Sequence, residues 1–237
     1  MKKLSIIIPV YNEDKTIGKV IEIISDLNLN HSIEKQIIVV NDCSTDSSVA
    51  EIEKALDRCS VDHTFINHEV NTGKGGAIHS GIQSANGDYT IIQDADLELN
   101  PAEINDLIEK VISGGADVVY GSRFVNTGFT GGSRLSNMAN SFLTRLSNLV
   151  FRIKITDMET CYKLVPTEEF KSLKLVEKRF GFEPEITAKL AKNRSLKWAE
   201  VPISYNARTE EQGKKIGWKD GVRAVWCILK YGLSRKR

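Results

Sequence analysis

The chain has 237 residues, 41% hydrophobic and 27% charged, with a formal net charge of +1. Composition of this kind excludes a disordered chain, and 17 Gly with 5 Pro in no period exclude a collagen-like one. Its length supports one sizeable core with, at most, a small appendage. Residues 4–10 form a continuous apolar run, the pattern of a strand covered on both faces. Ile17, Val20, Ile21, Ile24 and Leu27 then recur at helical spacing. A second run, 36–40, ends in Asn41-Asp42, and Ser44 or Thr45 is expected to cap a helix carrying Val49, Ile52 and Leu56. Residues 63–67 read as a third strand, 77–85 as a helix and 89–93 as a fourth strand. Pro101 suits the first turn of a helix reaching Ile112, and 117–120 give a fifth strand. This strand–helix alternation predicts an α/β fold, an open and mostly parallel sheet with helices on both faces.

The second half is less regular. A glycine-rich loop at 128–132 precedes a helix over 135–151, a strand over 160–165, a helix over 184–192 and a strand over 198–205. Without internal repeats or a linker, the pattern predicts one domain over 1–212 and a basic extension over 213–237. That extension holds eight Lys/Arg against Asp220 alone, net +7, whereas the remaining 24 basic and 30 acidic residues give net −6. An anionic partner at the tail is expected, a membrane surface first, and nucleic acid is not. Within it Val222, Val225, Trp226 and Leu229 recur at i, i+3, i+4 and i+7, predicting an amphipathic helix over 218–233.

Cys43, Cys59, Cys161 and Cys227 form no CxxC pair and have no His at zinc spacing, so four reduced thiols are expected. No run approaches the ~20 apolar residues that span a bilayer. Nor does the short run after Met1-Lys2-Lys3 resemble a secretory signal. A cytoplasmic chain is expected, peripheral on the cytoplasmic face of a membrane if its tail docks there. His31, His63, His68 and His79 show no ligand spacing and read as surface or core residues, and Trp198 and Tyr205 read as core residues rather than a sugar platform.

Ligands of parallel α/β sheets bind beyond the carboxyl ends of the strands. Three strands end in polar residues: Pro9-Val10-Tyr11-Asn12-Glu13, Asn41-Asp42 with Asp46, and Gln93-Asp94-Ala95-Asp96. Two carboxylates at i and i+2 after a buried strand call for a cation or a strong donor network. Oxygen ligation suits Mg²⁺ or Mn²⁺ bridging carboxylates to substrate phosphates. The segment Asn71-Thr72-Gly73-Lys74-Gly75-Gly76-Ala77 opens a helix, and its glycines are expected to let backbone N–H groups approach an anion beside Lys74. It is neither a Walker A loop, since Gly75 follows Lys74, nor a dinucleotide fingerprint, since Ile78 stands three after Gly75. Arg123 follows a strand end, Arg134 follows the glycine-rich loop, and Arg208 precedes Lys214 and Lys215. Arginines fork onto phosphate oxygens, so this set suits an anionic acceptor.

These segments, with Gly121-Ser122-Arg123, come in an order that resembles family 2 glycosyltransferases of the GT-A fold. Within that family the chain is most similar to polyprenyl-phosphate (dolichyl-phosphate) mannosyl- and glucosyltransferases, over residues 4–210. The resemblance implies that Pro9, Tyr11, Glu13 and Asp42 hold the nucleotide base and ribose, with Lys74 and Gly75 nearby. It also implies that Asp94 and Asp96, with Glu98 as a further ligand, hold the metal that bridges the donor diphosphate. The segment 157–163 resembles one placed near the acceptor, which adds Asp157 and Lys163 to Arg123, Arg134 and Arg208. Asp157 would act as general base for a hydroxyl acceptor, or orient Lys163 or an arginine for a phosphate acceptor already ionised at pH 7. The expected reaction is metal-dependent inverting transfer from a UDP-sugar, UDP-glucose first, to a polyprenyl phosphate. A saccharide or cell-wall glycan acceptor, GDP-mannose as donor, and nucleotide-sugar binding without turnover are the alternatives.

Overall fold

The computed structural model describes residues 1–125, 134–207 and 218–234. Arg208, the loop at 128–132, Lys214, Lys215 and residues 235–237 lie outside that description. Among the described residues, the apolar runs become strands β1 (Lys3–Val10), β2 (Glu34–Asn41), β3 (Asp62–Asn67), β4 (Tyr89–Ile92) and β5 (Val118–Ser122). The intervening periodic segments are helices α1 (Ile17–Asp26), α2 (Ser48–Leu56), α3 (Lys74–Ser84) and α4 (Ile104–Ile112). After them come α5 (Arg134–Phe151), β6 (Lys163–Pro166), α6 (Thr167–Ser172), α7 (Phe182–Ala191), β7 (Trp198–Pro202) and α8 (Trp218–Leu233).

The seven strands form one sheet in the order β3-β2-β1-β4-β6-β5-β7. Every pairing is parallel except those of β6, which runs antiparallel to both β4 and β5. The expected open, mostly parallel sheet is therefore present, with one reversed strand inside it. Ile6, Ile7 and Ile8 of β1 and the four residues 37–40 of β2 are fully buried, as two-sided coverage requires. Each such side chain contributes ~1.5–3 kcal/mol relative to exposure, so the centre of the sheet carries much of the fold's stability. Polar groups in these runs are satisfied: Ser5 Oγ donates to Gln36 Oε1 (2.7 Å) and accepts the Gly87 N–H (2.9 Å).

Two local expectations change, and two short elements are added. Helix α2 starts at Ser48, and Ser44 and Thr45 do not cap it. Ser44 Oγ instead accepts the Asn12 N–H (3.0 Å), while the Thr45 N–H donates to Asn12 Oδ1 (2.8 Å), tying the turns after β1 and β2 together. Pro101 opens a 3-10 turn, Pro101–Glu103, rather than α4 itself. The 3-10 turn Asn30–Ser32 and helix α6 have no counterpart in the periodicity, because each is too short to complete one.

Candidate active site

The polar ends of β1, β2, β4 and β5 open onto one edge of the sheet. Pro9 is buried within β1 opposite Val40, so it shapes the floor there. Tyr11, just past the strand, is 39% exposed. Glu13 Oε2 accepts the Thr16 hydroxyl (3.1 Å), and its carbonyl accepts the N–H groups of Thr16 and Ile17, fastening the start of α1.

Asp42 behaves differently from the expectation. It is buried, and its carboxylate accepts the N–H of Thr72 (2.8 Å), the Thr72 hydroxyl (2.7 Å) and the N–H of Gly73 (2.7 Å). His68 Nδ1 lies 2.9 Å from the same Oδ1, and its Nε2 is 2.8 Å from Ser80 Oγ. Asp42 thus organises the loop over 68–73 from below. His68, which no spacing singled out, belongs to that support, and only the β2–β3–α3 packing reveals it.

The glycines of the loop also have another purpose than anion approach. A Cβ on Gly73 would lie 2.5 Å from the Lys178 carbonyl, and one on Gly75 2.3 Å from the Glu177 carbonyl. The Gly76 N–H is used as well, donating to Lys178 O (3.1 Å). Backbone contact with 177–179 is what needs those glycines, and it fixes the turn that carries Lys74. From there Lys74 Nζ reaches Asp94 Oδ1 at 2.5 Å, both side chains about a fifth exposed. Burial opposes the ammonium charge, but the Asp94 carboxylate beside it holds the Lys74 pKa well above its ordinary value.

Past β4, Asp94 and Asp96 sit on one turn with Leu97 at φ 59°, and Asp96 Oδ1 accepts the Glu98 N–H (3.1 Å). Burial and the nearby Glu98 carboxylate push the Tyr205 hydroxyl pKa up, and the Glu98 carbonyl accepts the Asn206 N–H (2.9 Å). Among the described residues no three His, Cys, Asp or Glu side chains are gathered as metal ligands, so Asp94, Asp96 and Glu98 do not form a three-carboxylate cage. Two half-buried carboxylates on a single turn still fit Mg²⁺ or Mn²⁺. Such ions are held by one or two protein carboxylates with substrate phosphates completing the shell.

Arg123, at the end of β5, meets Asp157 in a fork: Nε to Oδ2 at 2.7 Å and Nη2 to Oδ1 at 2.9 Å, with the Arg123 N–H also on Oδ2 (3.1 Å). Asn140 Nδ2 adds a fourth donor (3.1 Å), and the Asp157 side chain is wholly buried. Burial disfavours its charge, yet Arg123 and Asn140 keep its pKa below the usual carboxylate range. Four donors on this buried carboxylate hold Asp157 and Arg123 in one arrangement. The general-base role does not match this geometry, nor does orientation of Lys163. Glu200 on β7 fixes the turn by accepting the N–H groups of Thr156 (2.8 Å) and Asp157 (3.3 Å). The guanidinium lies 5.1 Å from the centroid of the Tyr205 ring, so Tyr205 links the carboxylate turn to Arg123. Tyr205 packs against the core as its pattern suggested, and the β5–β7 pairing also brings it beside Arg123. Beside Arg123 a cavity of about 440 Å³ opens against α5, lined by Phe124, Asn137, Thr144, Arg145 and Thr156 among others.

Lys163 is a clear correction. It is fully buried, donates to Glu183 and to the Thr160 carbonyl, and so faces the interior rather than an acceptor. Arg134 begins α5 and is exposed. Glu159, between Asp157 and Cys161, carries an enclosed Oε1 without a hydrogen-bond partner. Burial and the nearby Glu183 push its pKa up to about 8.

Strand order, the carboxylate turn past β4 and the arginine past β5 together define a GT-A-type glycosyltransferase. The chain belongs to glycosyl transferase family 2, whose model matches residues 5–173. It is 30% identical to a UDP-N-acetylglucosamine–dolichyl-phosphate N-acetylglucosaminyltransferase of Methanococcus voltae, over 98% of this chain and 97% of that one. It is 28% identical to a dolichol-phosphate mannosyltransferase of Pyrococcus furiosus, over 67% of this chain and 46% of the relative. A glycosyltransferase AglD of Haloferax volcanii is 24% identical over 57% of this chain, which spans 22% of that protein. Among solved structures, glucosyl-3-phosphoglycerate synthase of Mycobacterium tuberculosis with UDP superposes at a TM-score of 0.73 and 18% identity, over 99% of this chain and 82% of that one. The same enzyme with Mn²⁺, UDP-glucose and phosphoglyceric acid gives 0.70 at 18% identity, over 99% and 81%. These likenesses establish the shared fold.

Proposed function

We propose that this family 2 glycosyltransferase moves a sugar, with inversion, from a UDP-sugar to a polyprenyl phosphate, using Mg²⁺ or Mn²⁺. The observation that carries the reading is the Arg123–Asp157 fork beside the Asp94–Asp96 turn. A guanidinium held rigidly by a buried carboxylate suits a phosphate acceptor, which needs positioning and charge balance and no proton abstraction. Tyr11 and the loop held by Asp42 would receive the nucleotide, and Arg134 and Arg208 would extend the acceptor side. A divalent cation on Asp94 and Asp96 would neutralise the departing diphosphate. UDP-glucose is the first donor to try, and the name of the full-length relative favours UDP-N-acetylglucosamine as the second.

The exposed stripe of α8 would rest on the membrane that presents such an acceptor. Among the described residues no helix is long and apolar enough to cross one.

The test is transfer from UDP-glucose, UDP-N-acetylglucosamine and GDP-mannose to a short-chain polyprenyl phosphate with Mn²⁺. Asp94→Asn and Asp96→Asn are each expected to reduce transfer at least about a hundredfold, the scale of losing a charge-stabilising group. Melting temperatures should stay near that of the parent. Near-parental turnover in either variant, or full turnover in excess chelator, refutes the metal bridge. Transfer to a saccharide but not to polyprenyl phosphate reassigns the acceptor.

A further inference from the structure

Lys74 stands on one of the two carboxylates that a divalent cation would use. Its Nζ is 2.5 Å from Asp94 Oδ1. The walls around it are weakly polar: Cys161 Sγ at 4.0 Å and the Phe182 ring centroid at 5.8 Å. Screening by water is reduced in such surroundings, and the pair attracts more strongly than a surface pair. Lys74 also has little room to withdraw, because Gly73 and Gly75 seat its turn on the backbone of 177–179. The neighbouring carboxylate that could receive a displaced ammonium, Glu183, is already held by Lys163. A bare dication arriving at Asp94 would therefore strand a half-buried ammonium beside it, and the Lys74–Asp94 pair cancels the charge of one of the two carboxylates that would hold it. A nucleoside diphosphate removes that obstacle, since its phosphate oxygens can take the ammonium while the metal takes Asp94.

We infer that Lys74 is a built-in counter-cation that closes the metal site until a nucleoside diphosphate arrives, making metal and nucleotide binding mutually dependent. This rests on the proposed metal-dependent use of a nucleotide sugar and assigns Lys74 a gating role within it. Removing the ammonium should open the site to metal alone, a gain that loosened folding could not produce.

The experiment is titration of Mn²⁺ into the full chain, following the free Mn²⁺ signal by electron paramagnetic resonance, without nucleotide and then with UDP or GDP. Parent, Lys74→Met, Lys74→Arg and Asp94→Asn chains are compared, with thermal melts as a check on folding. Lys74→Met is expected to bind Mn²⁺ alone about tenfold more tightly than the parent, equivalent to about 1.4 kcal/mol. The nucleotide should tighten Mn²⁺ binding in the parent and in Lys74→Arg, and much less in Lys74→Met. Asp94→Asn should show no gain. If the parent takes up Mn²⁺ with nucleotide while Lys74→Met binds Mn²⁺ alone no better than the parent, the gating role is overturned and the metal reading stands. If no chain takes up Mn²⁺ even with nucleotide, the metal reading falls and the gate with it.

Discussion

Asp157 and Glu159 stand two residues apart and are held in opposite protonation states by their surroundings. Asp157 meets a guanidinium and an amide, whereas Glu159 is buried near Glu183 and its own Oε1 has no hydrogen-bond partner. Asp157→Asn would leave Arg123 with half its fork and no balancing charge, at a cost of about 3–5 kcal/mol by analogy with other broken buried pairs. In chains that remain folded, calorimetry is expected to show nucleoside diphosphate binding near the parental level while KM for the acceptor rises. An unchanged acceptor KM would remove the Arg123–Asp157 fork from the acceptor side. Glu159 carries the pH dependence. Its folded pKa of about 8 lies above the ordinary 4.5, so the folded chain holds a proton that the unfolded chain releases between those values. Stability from this group is full below about pH 4.5 and is lost as pH rises toward 8, with a slope of at most ~1.4 kcal/mol per pH unit. Glu183 and Glu200, also raised by burial, act in the same direction. Denaturant unfolding of Glu159→Gln between pH 5 and 9 should show a shallower decline than the parent; parallel curves would contradict the assignment.

At the scale of elements, the turn into α3 is held by contact between backbones. Gly75→Ala places a methyl 2.3 Å from the Glu177 carbonyl, and a backbone atom cannot step aside as a flexible side chain can. A loss of about 1–3 kcal/mol is expected, with weaker nucleoside diphosphate binding because Lys74 moves with the turn. Gly221→Ala in α8, where nothing lies within 4 Å, is the control and should be neutral or stabilising by about 0.5–1 kcal/mol. Equal melts for the two variants would refute the packing account. The same turn shows what sequence reading can reach. The runs at 4–10 and 36–40 announce β1 and β2 because two-sided burial writes itself into every residue. The position of Asp94-Ala95-Asp96 past such a strand is legible for the same reason. Gly73 and Gly75 mark a close approach, but the partner, 177–179, lies a hundred residues on, and the motif alone cannot tell backbone from phosphate. Lys163 looks like an available cation until Glu183 is folded against it, and Tyr205 enters the site only through the β5–β7 pairing.

Over the whole molecule, the charge asymmetry and the two sides of α8 bear on where the enzyme works. Helix α8 buries Ala224, Cys227, Ile228 and Tyr231 against the body and leaves Val222 62%, Trp226 43% and Leu229 41% exposed. Three of the four predicted stripe residues therefore face outward, while Val225 joins a second apolar face in packing against the core. Glu177 anchors that inner side by accepting Tyr231 OH (2.6 Å), Arg223 Nη2 (2.7 Å) and Lys230 Nζ (3.4 Å). Arg223 and Lys230 also lie 4.1 and 4.2 Å from the Trp226 ring, so they are partly engaged within the protein. Both stay at least 40% exposed, and the segment 213–237 keeps its net +7. Helix α5, against which Gly232 packs, adds the exposed Leu135, Met138 and Phe142. An anionic lipid surface suits this combination of apolar stripe and basic charge: each deeply inserted side chain gains ~1.5–3 kcal/mol, and each basic residue near the headgroups about 1 kcal/mol. Removing α8 would also strip cover from Glu177 and the core, so docking is better tested by changing only its outer face. The triple variant Val222→Ser, Trp226→Ser, Leu229→Ser should fold like the parent and bind phosphatidylglycerol vesicles at least about tenfold less in co-sedimentation. High salt should weaken parental binding, and phosphatidylcholine vesicles should retain little of either chain. Equal binding by parent and variant, or none by either, would overturn the docking role. A parental chain that ignores vesicles but runs as a dimer, and a monomeric triple variant, would instead make the stripe a contact between copies and strengthen the saccharide-acceptor alternative.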